Sequence, residues 1–414
     1  SGTGLSGGAT PQADGVLVVT SRMRDVLRID VENRRAVVQP GVVNASVTAA
    51  AAPHGLYFAP DPSSQQVCSI GGNVAENSGG AHCLKYGFTT HHVTGLRVVL
   101  PDGRTAHLGG SAVEYPGYDL VGTFVGSEGT LGIVTEVTVR LLPVPEAVRC
   151  LLAAFTTTDA AGEAVSSIIA AGVVPAAMEM MDALTISAVE ATVGVAYPAG
   201  AGAVLIVELD GPEAEVEQRL TEVTALCERA GAFAVQIAVD AAERTAIWRG
   251  RKSAFAAMGR ISADYYVQDG VVPRTALPRT LQRISELAAE AGLRVANVFH
   301  AGDGNLHPLV LFDSARPGEA ERAADLAASI VALCVEQGGS ITGEHGVGLD
   351  KRDSMWRMFS ADDLATMQRL RAAFDPDGLC NPGKVLPTPR LCGEAPGPRR
   401  GVHPLVASGE AELF

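Results

Sequence analysis

The chain has 414 residues, of which 47% are hydrophobic and only 19% are charged, and its formal net charge is −14. This length exceeds what one ordinary hydrophobic core serves and predicts two domains. The apolar fraction excludes an intrinsically disordered protein. The acidic balance, with no basic tract to offset it, excludes nucleic acid as a partner. An anionic substrate would therefore need a local cluster of positive charge.

The seven cysteines are scattered and form neither a CxxC pair nor a ferredoxin-like cluster. This spacing disfavours both an internal iron–sulfur centre and a disulfide scaffold. The reducing cytoplasm is then the default compartment, with peripheral contact to the inner face of the membrane left open. No apolar run is long enough to span a bilayer. Because the chain opens inside a glycine loop, SGTGLSGG, we expect an upstream segment that completes the first domain.

The opening loop matches the pattern GxGxxG over Gly2–Gly7. That pattern binds a dinucleotide in a Rossmann fold only when a strand precedes it and a helix follows. Here Ala9-Thr10-Pro11 and a predicted strand, Val16–Val19, follow instead, which excludes a Rossmann site. A loop whose backbone amides bind phosphate and a plain glycine linker both remain open.

Two further strands are predicted at Val26–Asp30 and Ala36–Pro40, followed by a helix with Asn44 as its N-cap. The segment Ile70–Gly80 then packs four glycines, two asparagines and a serine into eleven residues. We predict neither helix nor strand there, but a loop whose amide groups contact a ligand, with a flexible surface loop as the alternative.

The remaining elements fall on either side of a change of pattern near residue 146. Before it, Thr94–Leu108 predicts a hairpin that turns at Pro101-Asp102-Gly103, and a glycine turn within Phe124–Leu142 leads into a strand. After it, strands alternate with amphipathic helices, which indicates an antiparallel sheet covered by helices. The predicted strands are Cys150–Phe155, Ala203–Leu209 and Phe233–Val239, and the predicted helices are Asp159–Ala171, Pro212–Ala230 and Ala241–Met258.

Positive charge is concentrated just before Tyr265-Tyr266, in Arg244, Arg249, Arg251, Lys252 and Arg260. In an acidic chain this cluster predicts the anion site, and a solvated basic helix face is the alternative. We predict that Arg251 binds a substrate carboxylate through two parallel hydrogen bonds.

A pair of histidines, His300 and His307, flanks a Gly-Asp-Gly turn in NVFHAGDGNLHPLVL. The glycines allow a sharp reversal, so both imidazoles can face one pocket. Further on, SITGEHGVG places Glu344 and His345 in a short loop bracketed by glycines. Two histidines and a carboxylate are typical ligands of a divalent metal that keeps a position open for substrate, and zinc, manganese and iron all suit them. Structural histidines and an ordinary turn are the alternative.

Together these motifs resemble the FAD-linked oxidases of the vanillyl-alcohol oxidase type, specifically the flavin subunits of glycolate oxidases and bacterial D-lactate dehydrogenases. The motifs that carry the resemblance span nearly the whole chain in the expected order: GTGLSGG, PDPSSQ, IGGNVAENSGG, LKYG, VVLPDG, GSEGTLGIVTEV, HAGDGNLHP, TGEHGVG and FDPDGLCNPGK.

The resemblance implies an α+β, two-domain flavoprotein with an FAD-binding domain and an antiparallel-sheet cap domain. Residues 1–146 would form the FAD-binding domain without its N-terminal portion, and residues 147–373 the cap. Residues 374–386 would return to the FAD domain, and residues 387–414 would form a disordered tail. FAD would be bound without a covalent link by Thr3, Gly4, Ser6, Gly7, Gly8, Asp61, Ser63, Ser64, Gly71, Gly72, Asn73, Asn77, Ser78, Gly80, Gly132, Ile133, Val134 and Asn381.

The implied reaction is oxidation of glycolate or D-lactate to the 2-oxo acid, with the hydride passing to flavin N5. Arg251 matches the family's substrate arginine, and a divalent metal on His300, His307 and Glu344 would polarise the hydroxyl while His345 takes its proton. The lysine of relatives that use 2-hydroxyglutarate has no match, since Val267 or Gln268 stands there, which disfavours a dicarboxylic substrate.

Electrons would leave through a separate acceptor, namely an iron–sulfur subunit, a quinone or a carrier protein, and both homo- and hetero-oligomers fit. Two other function classes remain open. A metal-dependent hydrolase would leave IGGNVAENSGG unexplained, and a non-catalytic FAD-binding subunit would not need the motifs that resemble a metal site.

Overall fold

The computed structural model describes residues 1–112 and 115–387, and its two main sheets are antiparallel. The N-terminal half contains strands β1 Val26–Asp30, β2 Arg35–Val38, β3 Leu56–Tyr57, β4 Val93–Val99, β5 Thr105–Gly109, β6 Ile133–Arg140 and β7 Leu142–Pro143. Its helices are α1 Asn44–Ala51, α2 Ile70–Glu76, α3 Cys83–Tyr86 and α4 Leu120–Phe124, with short 3₁₀ helices at Ala52–His54 and Thr89–His91.

The C-terminal half contains strands β8 Ala147–Phe155, β9 Ala177–Asp182, β10 Ala203–Gly211, β11 Ala234–Ile237, β12 Asp264–Val267, β13 Gly270–Val271, β14 Arg294–His300, β15 Asn305–Leu306 and β16 Pro308–Phe312. Its helices are α5 Thr158–Ala170, α6 Ala183–Val193, α7 Glu213–Arg229, α8 Ala241–Lys252, α9 Ala254–Ala257, α10 Leu277–Ala291, α11 Glu319–Glu336 and α12 Ala361–Phe374. Short 3₁₀ helices lie at Met258–Arg260, Arg274–Ala276 and Arg352–Arg357.

Within the described residues, the N-terminal sheet has five strands in the order β1-β2-β6-β4-β5. Apolar side chains of β2, β4 and β6 form its core with α1 and α2, where Val47 and Ile70 are fully buried. The predicted hairpin is confirmed as β4 and β5, and the glycine turn leads into β6 as expected. The predicted domain boundary at residue 146 lies between this sheet and the next, and it stays a prediction.

In the part of the chain that the structure describes, the C-terminal sheet has nine strands, with β9 between β10 and β14, and helices cover both of its faces. Alternate side chains of a strand point to opposite faces, so each central strand contributes to two cores. On β8, Leu151 and Ala153 pack under α5 and α7, whereas Cys150 and Leu152 pack under α6 and α8. The α+β fold with an antiparallel second sheet is therefore confirmed.

Several predicted features differ from the structure. Val16–Val19 forms no strand: the N-terminal sheet ends at β1, and these side chains are exposed, Val16 to 91%. The helix predicted over Ala241–Met258 is interrupted at Ser253 and continues as α9. Asn44 is the first residue of α1 and not its cap, since its side-chain amide donates to the Pro60 carbonyl.

The segment Ile70–Gly80 is not irregular throughout, because its first seven residues form α2. The Ser69 hydroxyl accepts a hydrogen bond from the Gly72 amide, and Asn77 ends the helix in the left-handed conformation at φ 52°. Ile70 and Val74, one turn apart, are both fully buried. Tertiary burial and capping thus outweigh the roughly 1 kcal/mol by which each glycine disfavours a helix.

The two halves meet through a charged cluster around His82, just before α3. Its Nδ1 lies 2.8 Å from Asp61 Oδ2, and its Nε2 lies 3.0 Å from Glu208 Oε1 on β10. Because carboxylates only accept, both ring nitrogens must donate, and His82 is an imidazolium. Burial opposes this charge, but the two carboxylates raise the pKa of His82 well above its usual value. Trp248 of α8 stacks on the same ring and donates to Glu208.

The segment after α12 contacts the first loop of the chain. The Asn381 side-chain amide donates to the carbonyls of Gly8 and Glu128, and the Lys384 ammonium donates to the Thr10 carbonyl. The tail predicted to be disordered lies, from residue 388 onward, outside the described residues. Among the residues that the structure does describe, no helix combines the length and apolar character needed to cross a bilayer.

The His82 cluster predicts that His82→Ala loosens the contact between the two halves. The substitution removes two charge-assisted hydrogen bonds and leaves Asp61 and Glu208 without their shared cation, so we expect the free energy of unfolding to fall by about 2 kcal/mol. Urea denaturation measures the loss, with the exposed His107→Ala as control. Equal stability of the two variants would refute the role of the cluster.

Candidate active site

One large cavity, of about 1540 Å³, lies between the two halves. It exceeds the roughly 300–1,000 Å³ of a typical small-molecule site, so a large cofactor and a substrate both fit. Glycine-rich loops of the N-terminal half line one end, and charged side chains of the C-terminal half, among them Glu179, Arg251, His300 and Glu344, line the other.

In the N-terminal half, glycines allow the loops to approach neighbouring groups more closely than a side chain would permit. A Cβ on Gly8 would lie 2.8 Å from the Glu76 carboxylate, and a Cβ on Gly71 would lie 2.6 Å from the Pro40 ring. Of the residues predicted to bind FAD, sixteen line the cavity: Thr3, Gly4, Ser6, Gly7, Gly8, Asp61, Ser63, Ser64, Gly71, Gly72, Asn73, Ser78, Gly132, Ile133, Val134 and Asn381.

Two residues predicted to bind FAD do not line this cavity. Asn77 closes α2, and its side-chain carbonyl accepts a hydrogen bond from the Thr90 amide at 2.9 Å. Gly80 packs against the Asp61 backbone, where a Cβ would lie 2.5 Å from the carbonyl oxygen. Both residues therefore contact other parts of the N-terminal half and not the cavity itself.

The predicted metal ligands converge at the charged end. The Nε2 atoms of His300 and His307 lie 3.2 and 3.1 Å from Glu344 Oε1, and the three ligand atoms fall within 4.8 Å of one another. The Nδ1 atom of His300 donates to Glu179, and that of His307 faces the Gln268 carbonyl at 3.3 Å. Each histidine thus has Nδ1 held by an acceptor and Nε2 directed at a common point, the usual arrangement of metal-ligating histidines. The set fits a divalent cation.

The charges of this set depend on one another. Burial acts to lower the pKa of His300, but Glu179 and Glu344 raise it well above its ordinary value. Burial likewise acts to raise the pKa of Glu344, but His300 and His307 hold it well below its ordinary value.

The loop that carries Glu344 and His345 is held by Asp269, which the sequence analysis missed. Asp269 is fully buried and accepts hydrogen bonds from the Thr342 hydroxyl at 2.6 Å and from three consecutive backbone amides, those of residues 343–345. The Lys351 ammonium lies 3.2 Å away. Burial acts to raise the pKa of Asp269, but Lys351, the nearby His345 and His307, and the Thr342 hydroxyl hold it well below the ordinary value.

A second group of possible ligands, Asp269, His307 and His345, lies close enough together to hold a cation. Asp269, however, already receives four hydrogen bonds besides the Lys351 contact. His300, His307 and Glu344 line the cavity, and Asp269 does not. The geometry therefore favours the set containing His300.

The predicted general base, His345, lies beside the metal set and not within it. Its ring stacks on His307 with centroids 4.9 Å apart, and its Nε2 lies 3.8 Å from Glu344 Oε1. The Ser6 hydroxyl fixes the loop by donating to the His345 carbonyl at 2.7 Å. Burial lowers the pKa of His345 to about 4, so its imidazole is neutral at pH 7.

The predicted carboxylate-binding residue, Arg251, lies in the last turn of α8 and lines the same cavity, where it is 5% exposed. Its Nε and Nη2 atoms both lie 2.7 Å from Glu179 Oε2. This ion pair occupies one edge of the guanidinium and leaves the edge formed by Nη1 and Nη2 for another anion. Glu179, fully buried on β9, was not anticipated.

A pair of carboxyl groups, Glu76 and Glu128, lies where the opening loop meets residues 346–348. Glu128 accepts hydrogen bonds from the Val347 and Gly348 amides at 2.7 and 2.8 Å. A Cβ on Gly8 would approach both carboxyl groups. Burial and the neighbouring charge of Glu128 raise the pKa of Glu76 to about 8.

Family models match most of the chain. The model described as an FAD binding domain matches residues 1–109, and that of the FAD linked oxidases, C-terminal domain, matches residues 144–385. The glycolate oxidase subunit GlcD of Escherichia coli K12 is 54% identical over 393 residues, covering 95% of this chain and 79% of the relative.

More distant relatives agree. A D-lactate dehydrogenase of Archaeoglobus fulgidus is 33% identical over 93% of this chain and 84% of its own length. Among solved structures, 4-ethylphenol oxidase from Gulosibacter chungangensis matches 89% of this chain and 80% of that chain with a TM-score of 0.71. Its identity is 17%, so this likeness concerns the fold alone.

The site makes a prediction about Asp269. Asp269→Asn keeps the size of the side chain but turns an acceptor into a donor facing amides and an ammonium, so we expect residues 341–348 to open. Because the substitution breaks a buried charged pair, we expect the free energy of unfolding to fall by about 3 kcal/mol. Hydrogen exchange of this loop measures the opening, and the exposed Asp325→Asn is the control. Wild-type protection in Asp269→Asn would contradict the assignment.

The carboxyl pair predicts a dependence of stability on pH. The pKa of Glu76 is about 8 in the folded protein against 4.5 for an ordinary glutamate, so the folded state holds the extra proton between these values. Stability from this group is complete below pH 4.5 and is lost as the pH rises through 8. Glu128 faces Glu76 directly, and Lys351 and Lys384 act on Glu128.

Glu76→Gln removes this titration, so its stability should fall less than that of the wild type as the pH rises to 8. Thermal unfolding across this range measures the difference, and the exposed Glu163→Gln should follow the wild type. Parallel curves for Glu76→Gln and the wild type would show that the pair holds no extra proton.

Proposed function

Because the chain belongs to the FAD-linked oxidase family and is an FAD-dependent oxidoreductase, we propose that it oxidises glycolate or D-lactate to the corresponding 2-oxo acid. The names of the glycolate oxidase subunit and the D-lactate dehydrogenase support this substrate class. The observation that carries the proposal is the shared cavity, in which the glycine loops and the His300, His307 and Glu344 set face the same space as Arg251.

In this proposal Arg251 binds the substrate carboxylate through its free edge, while Glu179 keeps the guanidinium in place. His300, His307 and Glu344 would hold a divalent metal next to the substrate hydroxyl. When bound, FAD supplies a hydride acceptor and the metal supplies Lewis-acid polarisation of the hydroxyl. His345 takes the hydroxyl proton on its neutral imidazole. Trp248 and Phe255 also line this cavity and present apolar surface to it.

The electrons leave to a separate acceptor, which can be an iron–sulfur subunit, a quinone or a carrier protein. The relative's name as a glycolate oxidase subunit supports a chain that works beside other subunits.

The test is anaerobic reduction of the bound flavin. The protein loaded with FAD and a divalent metal should lose its visible flavin absorbance when glycolate or D-lactate is added, and L-lactate should act much more slowly. If neither glycolate nor D-lactate bleaches the loaded protein, the proposed substrate class is wrong.

His345→Ala should slow this bleaching by roughly 10²- to 10⁴-fold, the range that a positioned general base contributes. Flavin and metal contents should stay at wild-type levels, because His345 binds neither in the proposed site. The matched control is the exposed His54→Ala, whose rate should equal that of the wild type. An undiminished rate in His345→Ala would remove this residue from the mechanism.

A further inference from the structure

Glu179 contacts both the proposed metal site and the proposed substrate-binding arginine. It lies on β9 directly opposite His300 of β14, and it is fully buried. Its Oε1 atom lies 2.6 Å from His300 Nδ1, and its Oε2 atom accepts from Arg251. One carboxylate thus contacts both a predicted metal ligand and the predicted substrate arginine.

We infer that Glu179 is a positioning residue that fixes His300 for metal binding and Arg251 for carboxylate binding at the same time. The role of Glu179 toward Arg251 rests on the proposed function. Its role toward His300 concerns the affinity of the protein for the metal ion, which is measured without turnover.

The contact with His300 decides which nitrogen can bind a metal. A carboxylate only accepts hydrogen bonds, so Nδ1 of His300 must carry a proton. In the neutral imidazole, Nε2 is then the atom with the free lone pair, and this atom faces Glu344. Glu179 therefore selects the tautomer that can bind a cation and adds basicity to the ring.

The contact with Arg251 decides the plane of the guanidinium. Since Nε and Nη2 both bind Oε2, the side chain cannot rotate without breaking two charged hydrogen bonds. The negative charge of Glu179 also offsets the charge of Arg251 beside a divalent ion. Both carboxylate oxygens are engaged, and Glu179 belongs to neither group of described side chains whose ligand atoms lie close enough together to hold a metal ion.

The informative substitution is Glu179→Gln, which keeps the shape but offers one oxygen where two acceptors are needed. Its amide group must face either His300 Nδ1 or Arg251. We expect the affinity for Mn²⁺ or Zn²⁺ to fall by roughly 10- to 100-fold, the usual effect of losing such a partner. We also expect the KM for glycolate or D-lactate to rise.

The affinity is measured by titrating metal-free, FAD-loaded protein with each ion. Glu208→Gln is the matched control, since Glu208 is also a buried glutamate that binds a histidine and an N–H donor, but it lies outside the metal set. Arg251→Gln separates positioning from general damage: it raises the KM, yet it keeps the Glu179–His300 contact and so should keep the metal affinity near that of the wild type.

Two results of the metal titration would contradict the role of Glu179 toward His300 at once. Unchanged metal affinity in folded Glu179→Gln, or a wild-type protein that binds neither ion, would overturn the inference. Equal losses of affinity in Glu179→Gln and Arg251→Gln would also overturn it, because they indicate general disruption. If metal affinity falls clearly in Glu179→Gln alone, and no 2-hydroxy acid reduces the wild-type protein, then the role of Glu179 toward His300 stands and the proposed function is refuted.

Discussion

The site depends on one buried carboxylate, that of Asp269. The segment 341–348 has neither helix nor strand, so it lacks the internal hydrogen bonds that position other side chains. Asp269 replaces them by accepting from three successive amides and the Thr342 hydroxyl, and Lys351 offsets its charge. Burying a charge is costly unless it is paired and fully hydrogen-bonded, and here the loop supplies most of the donors. The position of Glu344 therefore depends on the same hydrogen bonds that keep this loop ordered.

The N-terminal half depends on this loop as well. Glu128 accepts from the amides at the end of the loop, those of residues 347 and 348, and the Ser6 hydroxyl donates to the carbonyl of residue 345. The cavity wall predicted to bind FAD and the set predicted to bind a metal therefore share one connecting segment.

Local sequence chemistry predicted much of the fold and part of the site. The glycine turn between His300 and His307, and the glycines around Glu344, indicated sharp reversals that bring these residues together. Asp269 and Glu179 were missed because each is a lone acid with no motif around it. The signal for Glu179 was its place in AMEMMD, since a charge inside an apolar, buried strand needs buried partners. Helix α2 was missed because glycine content outweighed the signals of its Ser69 cap and the buried pair Ile70 and Val74.

The charges around the site also bear on the substrate. Four carboxyl groups, those of Glu179, Asp269, Asp303 and Glu344, lie around His300 and His307, and Arg251 and Lys351 face them. Without a metal, a proton on His300 offsets part of this negative charge, in keeping with the raised pKa of that residue. A divalent ion held by the set would take the place of this proton and would offset more of the negative charge. On the proposed function, the ion therefore reduces the repulsion between the set and the substrate carboxylate, which Arg251 binds.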